Sequence, residues 1–243
     1  MTLLSICQQI ANEVGDDVPS SIVGNSDQMA KRLLAVMQTA GRVLASGRIE
    51  VEGRFIKNHD WSALRREFTF NTVASTSSYL ISTAIGSDFG KLLPDTIWDR
   101  TNNWQVTVYS PEEWQMAKGY SIVSAQARIS MIKRGLYLLI DPTPSDVYSI
   151  YGEYISKNWC QTSGGTGQTA WAADTDTGVI DEDLLMLEGK WRYLNRIGEA
   201  YAEEKLDAER AVFSAANADS KTTPVSITKK RLLFTDNIPQ RVT

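Results

Sequence analysis

The chain has 243 residues, of which 42% are hydrophobic and 22% are charged, and its formal net charge is −4. This composition is typical of an ordinary globular protein with a core of its own. The single histidine, His59, argues against most mechanisms that need a histidine base or several histidine metal ligands.

The two cysteines, Cys7 and Cys160, are far apart and have no CxxC spacing. They predict neither a zinc site nor a disulfide framework, and they favour a reducing compartment. The first residues lack the positive region of a secretion signal, and no run is long and apolar enough to span a bilayer. We therefore expect no metal, no cofactor and no membrane partner.

The charge is distributed unevenly between the body and the C-terminal residues. Residues 219–243 have a balance of +3, which leaves −7 for residues 1–218. The charged residues of this basic segment are Lys221, Lys229, Lys230, Arg231 and Arg241, with Asp219 and Asp236. A basic arm on an acidic body indicates a partner for the arm, although a solvated tail with a few lysines is a common alternative.

The first predicted elements are two helices. Residues 3–14 place apolar side chains at three- and four-residue spacing, which gives one apolar helix face that ends before Gly15. A second apolar stripe starts after Ser26 and Asp27, both candidate N-caps, and extends to about residue 45. We expect the two helices to pack as a hairpin. Residues 47–66 could continue the second helix after a break at Gly47 or form a short excursion, and a brief helix is predicted around residues 60–65.

From Glu67 onward, short segments rich in β-branched and aromatic residues replace the helical pattern. A tight turn at Lys133–Gly135 predicts a hairpin between ARISMI and LYLLI. SPEEWQMAK interrupts the strands as a short helix, in which Ser110 and Glu113 are expected to form a capping box. Several short strands in series predict an antiparallel sheet or a small sandwich.

A polar loop over residues 161–179 leads to a predicted long helix from Asp181 to about Asn217. The sequence therefore predicts an α+β fold with three parts. The N-terminal helical hairpin and the long C-terminal helix pack as a helical domain of residues 1–66 and 181–218. An antiparallel β-sheet or sandwich domain, residues 67–180, is inserted between them, and residues 219–243 form an extended arm.

Three segments resemble functional motifs but fit simpler structures better. GGTGQT, at Gly164–Thr169, lacks the lysine of a phosphate-binding loop. Asp174 and Asp176 resemble the start of a calcium loop, but later ligand positions fail. His59 lies beside Asp60 and Ser62, yet no GxSxG segment supports a catalytic triad. We expect a surface loop, an acidic helix start and a helix-start cluster, respectively, and no catalysis.

The stretch LPDTIWDRTNNWQVTVYSPEEW mixes tryptophans with carboxylates and amides, as a carbohydrate site would. Paired carboxylates such as Asp95 and Asp99 could hydrolyse a glycoside, but any acidic chain offers such pairs. The alternative is a strand pair in which Trp98 and Trp104 pack the β-rich domain and Asp99 pairs with Arg100. Its turn would be supplied by Asn102 and Asn103.

The order of five segments gives a family resemblance. These segments are HDWSALRREFTFNTVA, LPDTIWDRTNN, SPEEWQ, YISKNW and WAADTDTGVIDEDLLMLEGKWRY. Their succession, within about residues 3–216, resembles the head-to-tail adaptor proteins of short-tailed bacteriophages, the family of tail tubular protein A. Residues 47–58 look longer than the usual link in this family, and the arm after Ser220 matches no part of it.

The resemblance implies a structural virion protein with no enzymatic activity. Members of the family have a helical and a β-rich domain and form a ring, typically of twelve copies, between the portal protein and the tail tube or nozzle protein. The resemblance further implies assembly in the host cytoplasm, a place at the head-tail junction, and passage of DNA through the ring without sequence-specific binding.

Within this interpretation, the segment ITKKRLLF of the arm combines apolar and basic residues, which suits strand addition or groove docking on the portal. The predicted portal-binding residues are Ile227, Lys229, Lys230, Arg231, Leu232 and Phe234. The rival hypothesis is a carbohydrate-binding or carbohydrate-cleaving tail module built around Trp98 and Trp104.

Overall fold

The computed structural model describes residues 1–119 and 128–221. The α-helices of these residues are α1 (Leu3–Val14), α2 (Gln28–Ala45), α3 (Ile81–Ala84), α4 (Pro111–Gly119), α5 (Glu182–Ile197) and α6 (Ala202–Lys221). The longer strands are β1 (Arg48–Val51), β2 (Arg54–Asn58), β3 (Arg65–Asn71), β4 (Ser78–Leu80), β5 (Phe89–Asp99), β8 (Ser130–Arg134), β9 (Tyr137–Asp141) and β10 (Ser149–Ser156). The two-residue strands are β6 (Trp104–Gln105), β7 (Thr107–Val108), β11 (Cys160–Gln161), β12 (Gly167–Gln168) and β13 (Thr177–Gly178).

The α+β fold class is confirmed, and local capping explains why the first two helices begin where they do. Thr2 and Ser5 form a reciprocal capping box at the start of α1, and Gly15 ends that helix with a φ of 82°. The Asp27 carboxylate accepts a hydrogen bond of 3.2 Å from the Met29 N–H and thereby caps α2.

Helix α5 lies at the centre of the helical lobe, where it packs against α1, α2 and α6. Gly189 makes this close approach possible, because a Cβ there would lie 2.5 Å from the Met37 sulfur and 3.0 Å from Ile10 Cδ1. Buried side chains from α1, α2, α5 and α6 join one apolar cluster. The two N-terminal helices therefore enter a helical lobe organised around α5.

The single helix expected from Asp181 to about Asn217 is instead two helices. Helix α5 ends at Gly198, which has a φ of 86° and whose N–H bonds to the Leu194 carbonyl. A residue with a side chain rarely adopts this left-handed conformation, so glycine ends the helix here. Helix α6 then continues to Lys221, which places the first residues of the expected arm on a helix.

The β lobe is a sandwich of two four-stranded sheets, with strand orders β3-β10-β5-β6 and β4-β9-β8-β7. The pairing is antiparallel except between β7 and β8, which are parallel. One apolar cluster is shared by the two sheets; its members include Phe68, Ile97, Ile150, Met131, Leu138 and Ile140. The predicted hairpin of β8 and β9 is confirmed, with its turn at residues 135–136.

Residues 155–180, which the sequence analysis grouped with the β-rich domain, pack against the helices. Their small sheet has the order β12-β11-β13, and Trp159 and Trp171 belong to the same cluster as the helical core. The two indole rings meet edge to face, with centroids 5.1 Å apart. The second helix does not continue past Gly47: it ends at Ala45, and the excursion that follows is a hairpin of β1 and β2.

Two further predictions concern membranes and the arm. Within the described ranges, no helix has the length and apolar character that crossing a membrane requires. The predicted portal-binding residues lie outside the described part of the chain. They are Ile227, Lys229, Lys230, Arg231, Leu232 and Phe234.

Candidate functional site

The C-terminal end of α6 is fixed to the body by a polar cluster around Asp219. The His59 ring nitrogen Nε2 lies 2.7 Å from Asp219 Oδ2, and the Ser62 N–H donates to the same oxygen over 3.0 Å. The Ser62 hydroxyl donates to the other carboxylate oxygen. We call His59, Ser62 and Asp219 the arm anchor, because residues 222–243 follow directly after α6.

Within the arm anchor, His59 packs against an aromatic ring. His59 is buried, and its ring meets Trp61 edge to face at a centroid distance of 4.7 Å. The Trp61 indole N–H in turn donates to the Leu44 carbonyl over 2.8 Å. Burial raises the pKa of Asp219, but hydrogen bonds from Ser62 and His59 outweigh it, so the net pKa lies below its usual value. The cluster therefore stabilises the ionised carboxylate of Asp219.

The triad of His59, Asp60 and Ser62 that the sequence could suggest is not assembled. Asp60 instead binds Lys91, with Nζ 2.8 Å from Oδ2, while Ser62 binds Asp219. The Ser220 hydroxyl lies 3.4 Å from His59 Nδ1, but it donates over 2.6 Å to the Ala216 carbonyl of its own helix. In place of the helix predicted around residues 60–65, a three-residue 3-10 helix spans Ser62–Leu64 without a side-chain cap. The cluster beside it is completed by Asp219, from a distant part of the chain.

The stretch from Leu93 to Trp104 is a strand pair and turn, as predicted, but its tryptophans are not equivalent. In the register of β5 and β6, Trp98 faces Gln105 and Asp99 faces Trp104. Because neighbouring residues of a strand point to opposite faces, the two indoles lie on different sides of the sheet. Trp98 is 40% exposed, so the prediction that it packs the β lobe is wrong.

The predicted ion pair of Asp99 with Arg100 is also wrong. Asp99 is buried, and its carboxylate accepts hydrogen bonds from the Thr101 N–H and from the backbone and side-chain amides of Asn102. These bonds hold the predicted bend, where Asn103 has a φ of 58°. The Arg100 guanidinium lies 4.6 Å above the ring of Tyr151.

The residues that resembled phosphate and calcium motifs hold the loop after β10 in place. The N–H groups of Thr162 and Gly165 bond to carbonyls within the Gly-rich hairpin. Asp174 accepts bonds from the N–H groups of Ile22 and Val23. Asp176 accepts from the N–H groups of Ala172 and Ala173. The oxygens that a cation would need are thus turned towards backbone amides.

A cavity of about 290 Å³ between α2, β1, α5 and α6 contains a second polar network. Glu188 is buried and accepts from the Trp191 indole over 3.1 Å and from the Arg192 guanidinium. Burial lowers the pKa of Arg192 to about 10. Glu209 accepts from the Glu52 N–H over 2.6 Å, which ties the β1–β2 hairpin to α6. These charges bind one another, as structural networks do.

Neither thiol is positioned for nucleophilic chemistry. Cys7 and Cys160 are buried and free, and burial raises the pKa of each thiol to about 12. Across residues 1–119 and 128–221, no group of three or more His, Cys, Asp or Glu side chains is arranged to hold a metal ion.

Comparison with known proteins gives no family assignment. No family model matches the chain, and no curated protein is significantly similar to it.

Proposed function

We propose that this chain is a head-to-tail adaptor, a structural virion protein that forms a ring of twelve copies between the portal protein and the tail tube or nozzle protein. The genome passes through the ring without sequence-specific contacts. The protein acts at the head-tail junction after assembly in the host cytoplasm and catalyses no reaction. The order of segments that resembles the adaptor family supports this proposal.

The arm anchor is the observation that carries the proposal. His59 and Ser62 hold Asp219, so the end of α6 has a fixed position on the helical lobe. A basic segment that reaches a partner benefits from a fixed origin, because less conformational freedom is lost on binding. The anchor thus supports a portal-binding role for the arm, with the segment Ile227–Phe234 as its contact.

The charge distribution supports a passage for DNA. Residues 1–218 have a net charge of −7, whereas residues 219–243 have +3. A channel lined by the acidic body would not hold phosphates, since affinity for the DNA backbone comes from neutralisation by Lys and Arg. The basic arm remains available for a protein partner outside the channel.

Truncation of the arm tests the proposal. A chain that ends at Lys221 keeps the arm anchor, so we expect it to fold like the full chain but to lose binding to the portal protein. Electron microscopy of each chain mixed with the portal would show rings for the full chain and none for the truncated one. Circular dichroism controls for folding.

Alanine substitutions test whether the positive charge of the arm, and not only its presence, is needed for portal binding. Replacing Lys229, Lys230 and Arg231 with alanine should weaken portal binding, whereas alanine at three exposed cations of the body, Lys31, Arg54 and Arg196, should leave it unchanged. If the truncated chain binds the portal as tightly as the full chain, the arm has no part in docking. If the full chain forms no ring with the portal, the adaptor proposal fails.

One observation favours the carbohydrate-binding alternative. Trp98 and Tyr151 face each other on adjacent strands, and they are 40% and 37% exposed. Together with Arg100, whose guanidinium covers one face of the Tyr151 ring, these partly exposed side chains form a platform against which a sugar ring could pack. Trp104 has no place in it, because it lies on the other face under Arg128, whose guanidinium is 5.4 Å from the indole centroid.

Glycan arrays distinguish the two functions. The carbohydrate-binding function requires that the monomer bind a glycan and that Trp98→Ala and Tyr151→Ala each abolish binding while the fold stays intact. Trp104→Ala is the comparison variant. Absence of glycan binding by the full chain would exclude this function and leave the adaptor proposal unaffected.

A further inference from the structure

A groove crosses from the helical lobe to the β lobe. One part, of about 470 Å³, is lined by the end of α2 and by residues of β5 and β10. A second part, of about 320 Å³, is lined by β4 and by the turn between β8 and β9. Gly90 and Lys157 line both parts, so the two cavities are adjacent. We call the whole the lobe-spanning groove.

The charge of the lobe-spanning groove is opposite to that of the body. Its lining contains four cations, Arg42, Lys91, Lys133 and Lys157, but only one carboxylate, Asp60. Residues 1–218 as a whole have a net charge of −7. A local excess of positive charge on an acidic protein attracts an acidic surface and orients it during encounter.

The groove also offers apolar surface. Leu136, in the turn between β8 and β9, is 73% exposed, and Leu80 at the end of β4 is exposed beside it. Ile155 and Trp159 line the other part as its floor, but both are buried, so the exposed apolar surface is that of the two leucines. An interface core is enriched in such apolar contacts and surrounded by charged groups. The occupant should therefore combine carboxylates with an apolar side chain.

Helix α4 has this combination and projects from the β lobe. Of its residues, only Trp114 is buried. Glu112 and Met116 are exposed, Met116 to 59%. They are four residues apart, which places them on the same helix face. Glu113 is engaged at the start of the helix, where its carboxylate accepts from the Ser110 N–H over 2.8 Å.

The groove and α4 lie at opposite sides of one sheet. In the order β4-β9-β8-β7, Leu80 ends the edge strand β4, whereas α4 follows the other edge strand, β7. When the groove of one copy binds the helix of another, the resulting pair still has one unoccupied groove and one unoccupied helix. Further copies can therefore add at both ends of the pair. Such head-to-tail contacts generate rings when the rotation between copies closes.

We propose that the lobe-spanning groove binds helix α4 of a second copy of this chain. Glu112 of one copy pairs with Lys157 and Lys133 of the next, and Met116 packs against Leu136. This inference deepens the proposed function, because it assigns a contact between neighbours in the ring. The contact itself can be tested on the chain alone.

The exposed apolar side chains favour helix α4 over a nucleic acid as the occupant of the lobe-spanning groove. A phosphate backbone would satisfy the cations, but it would leave Leu136 and Leu80 uncovered, while α4 supplies both a carboxylate and a thioether. A DNA oligonucleotide is therefore included as a probe. Binding of the oligonucleotide that Lys157→Glu abolishes would overturn the proposal.

Charge reversal and exchange test the contact. Sedimentation velocity at low salt should show that the full chain self-associates with rising concentration. Lys157→Glu and Glu112→Lys should each weaken this association at least about fivefold, because each turns an attraction into a repulsion. Lys31→Glu, on an exposed residue near the other end of α2, is the matched control and should have no effect.

Mixing the two variants gives the decisive measurement. In an equal mixture, the Lys157→Glu groove can bind the Glu112→Lys helix, because both charges are reversed. The unchanged groove of one variant can bind the unchanged helix of the other, so association should return to about the wild-type level. The proposal is overturned if the wild type stays monomeric at every soluble concentration, if Lys31→Glu weakens association equally, or if mixing restores nothing. Rings that form on the portal with Lys157→Glu would reject this contact and leave the adaptor function intact.

Discussion

The helical lobe and the β lobe use their large apolar side chains differently. In the helical lobe, tryptophans such as Trp159 and Trp171 are buried among helices that approach closely at glycines. In the β lobe, several large apolar side chains remain at the surface: Leu80, Trp98, Met116, Leu136, Tyr137, Val147 and Tyr151. The helical lobe also exposes Phe55 and Ile56 on its β1–β2 hairpin, so the difference concerns the tryptophans. It teaches that Trp159 and Trp171 serve the internal packing of the helical lobe, whereas Trp98 of the β lobe remains accessible for contacts.

The largest expected effect is at Trp159. Replacing this buried indole with alanine should lower the free energy of unfolding by about 3–5 kcal/mol, because it removes packing and leaves a cavity. The indole N–H of Trp159 has no hydrogen-bond partner among the described residues, so Trp159→Phe should cost much less. Urea denaturation measures both. A small effect of Trp159→Ala would contradict the view that Trp159 is central to the packing of the helical lobe.

Gly41 provides a second test of close packing in the helical lobe. A Cβ at this position would lie 2.1 Å from a ring carbon of Trp159. Gly41→Ala should therefore destabilise the protein by about 1–3 kcal/mol, despite a gain of about 1 kcal/mol in helix propensity. Gly164→Ala is the control, since its Cβ would meet its nearest neighbour at an ordinary 3.7 Å. A more stable Gly41→Ala variant would show that Trp159 can move aside.

Asp219 tests the arm anchor through pH. Asp219→Asn should reduce stability by about 1–3 kcal/mol, because charged hydrogen bonds to His59 and Ser62 are weakened. The folded pKa lies below the usual 3.8. The stabilisation is therefore present above that value and is lost as the pH falls through the folded pKa.

The measurement compares urea unfolding of the wild type and Asp219→Asn from about pH 5 to about pH 2.5, where carboxylates titrate. The stability difference should shrink towards the acidic end. Asp207→Asn, on an exposed residue of the same helix, should show almost no difference at any pH. A difference that stays constant over this range would mean that the Asp219 carboxylate is not held by the anchor.

The smallest expected effect is at Trp98 in the β lobe. Because Trp98 is 40% exposed and lies outside the apolar cluster of the β lobe, Trp98→Ala should lower the free energy of unfolding by only about 1 kcal/mol. The same urea experiment measures it beside Trp159→Ala. A loss comparable to that of Trp159→Ala would remove the distinction between the two lobes.

Local sequence patterns predicted the elements whose signals are short-range. The apolar stripes gave α1 and α2, the capping box of Ser110 and Glu113 gave α4, and the turn after Arg134 gave the β8–β9 hairpin. Capping and turn formation depend on residues within a few positions, so the sequence alone contains their cause. The α+β class and the strand pair around Asn102 follow from the same kind of signal.

Other features depended on contacts that no local pattern encodes. Asp219 meets His59 across 160 positions of sequence, and the lobe-spanning groove joins residues of α2, β4 and β10. Gly198 is a local signal for the end of a helix. The apolar residues on both sides of it nevertheless led to the prediction of one continuous helix.

Sequence by itself determined the class of fold, most of the helices and strands, and the contrast between an acidic body and a basic C-terminal segment. Tertiary structure alone decided which tryptophans are buried, what Asp219 binds, and which cations meet in a groove. The physical reason is that hydrophobic periodicity, capping and turns act over a few residues, whereas burial and charge pairing depend on which distant segments fold against one another.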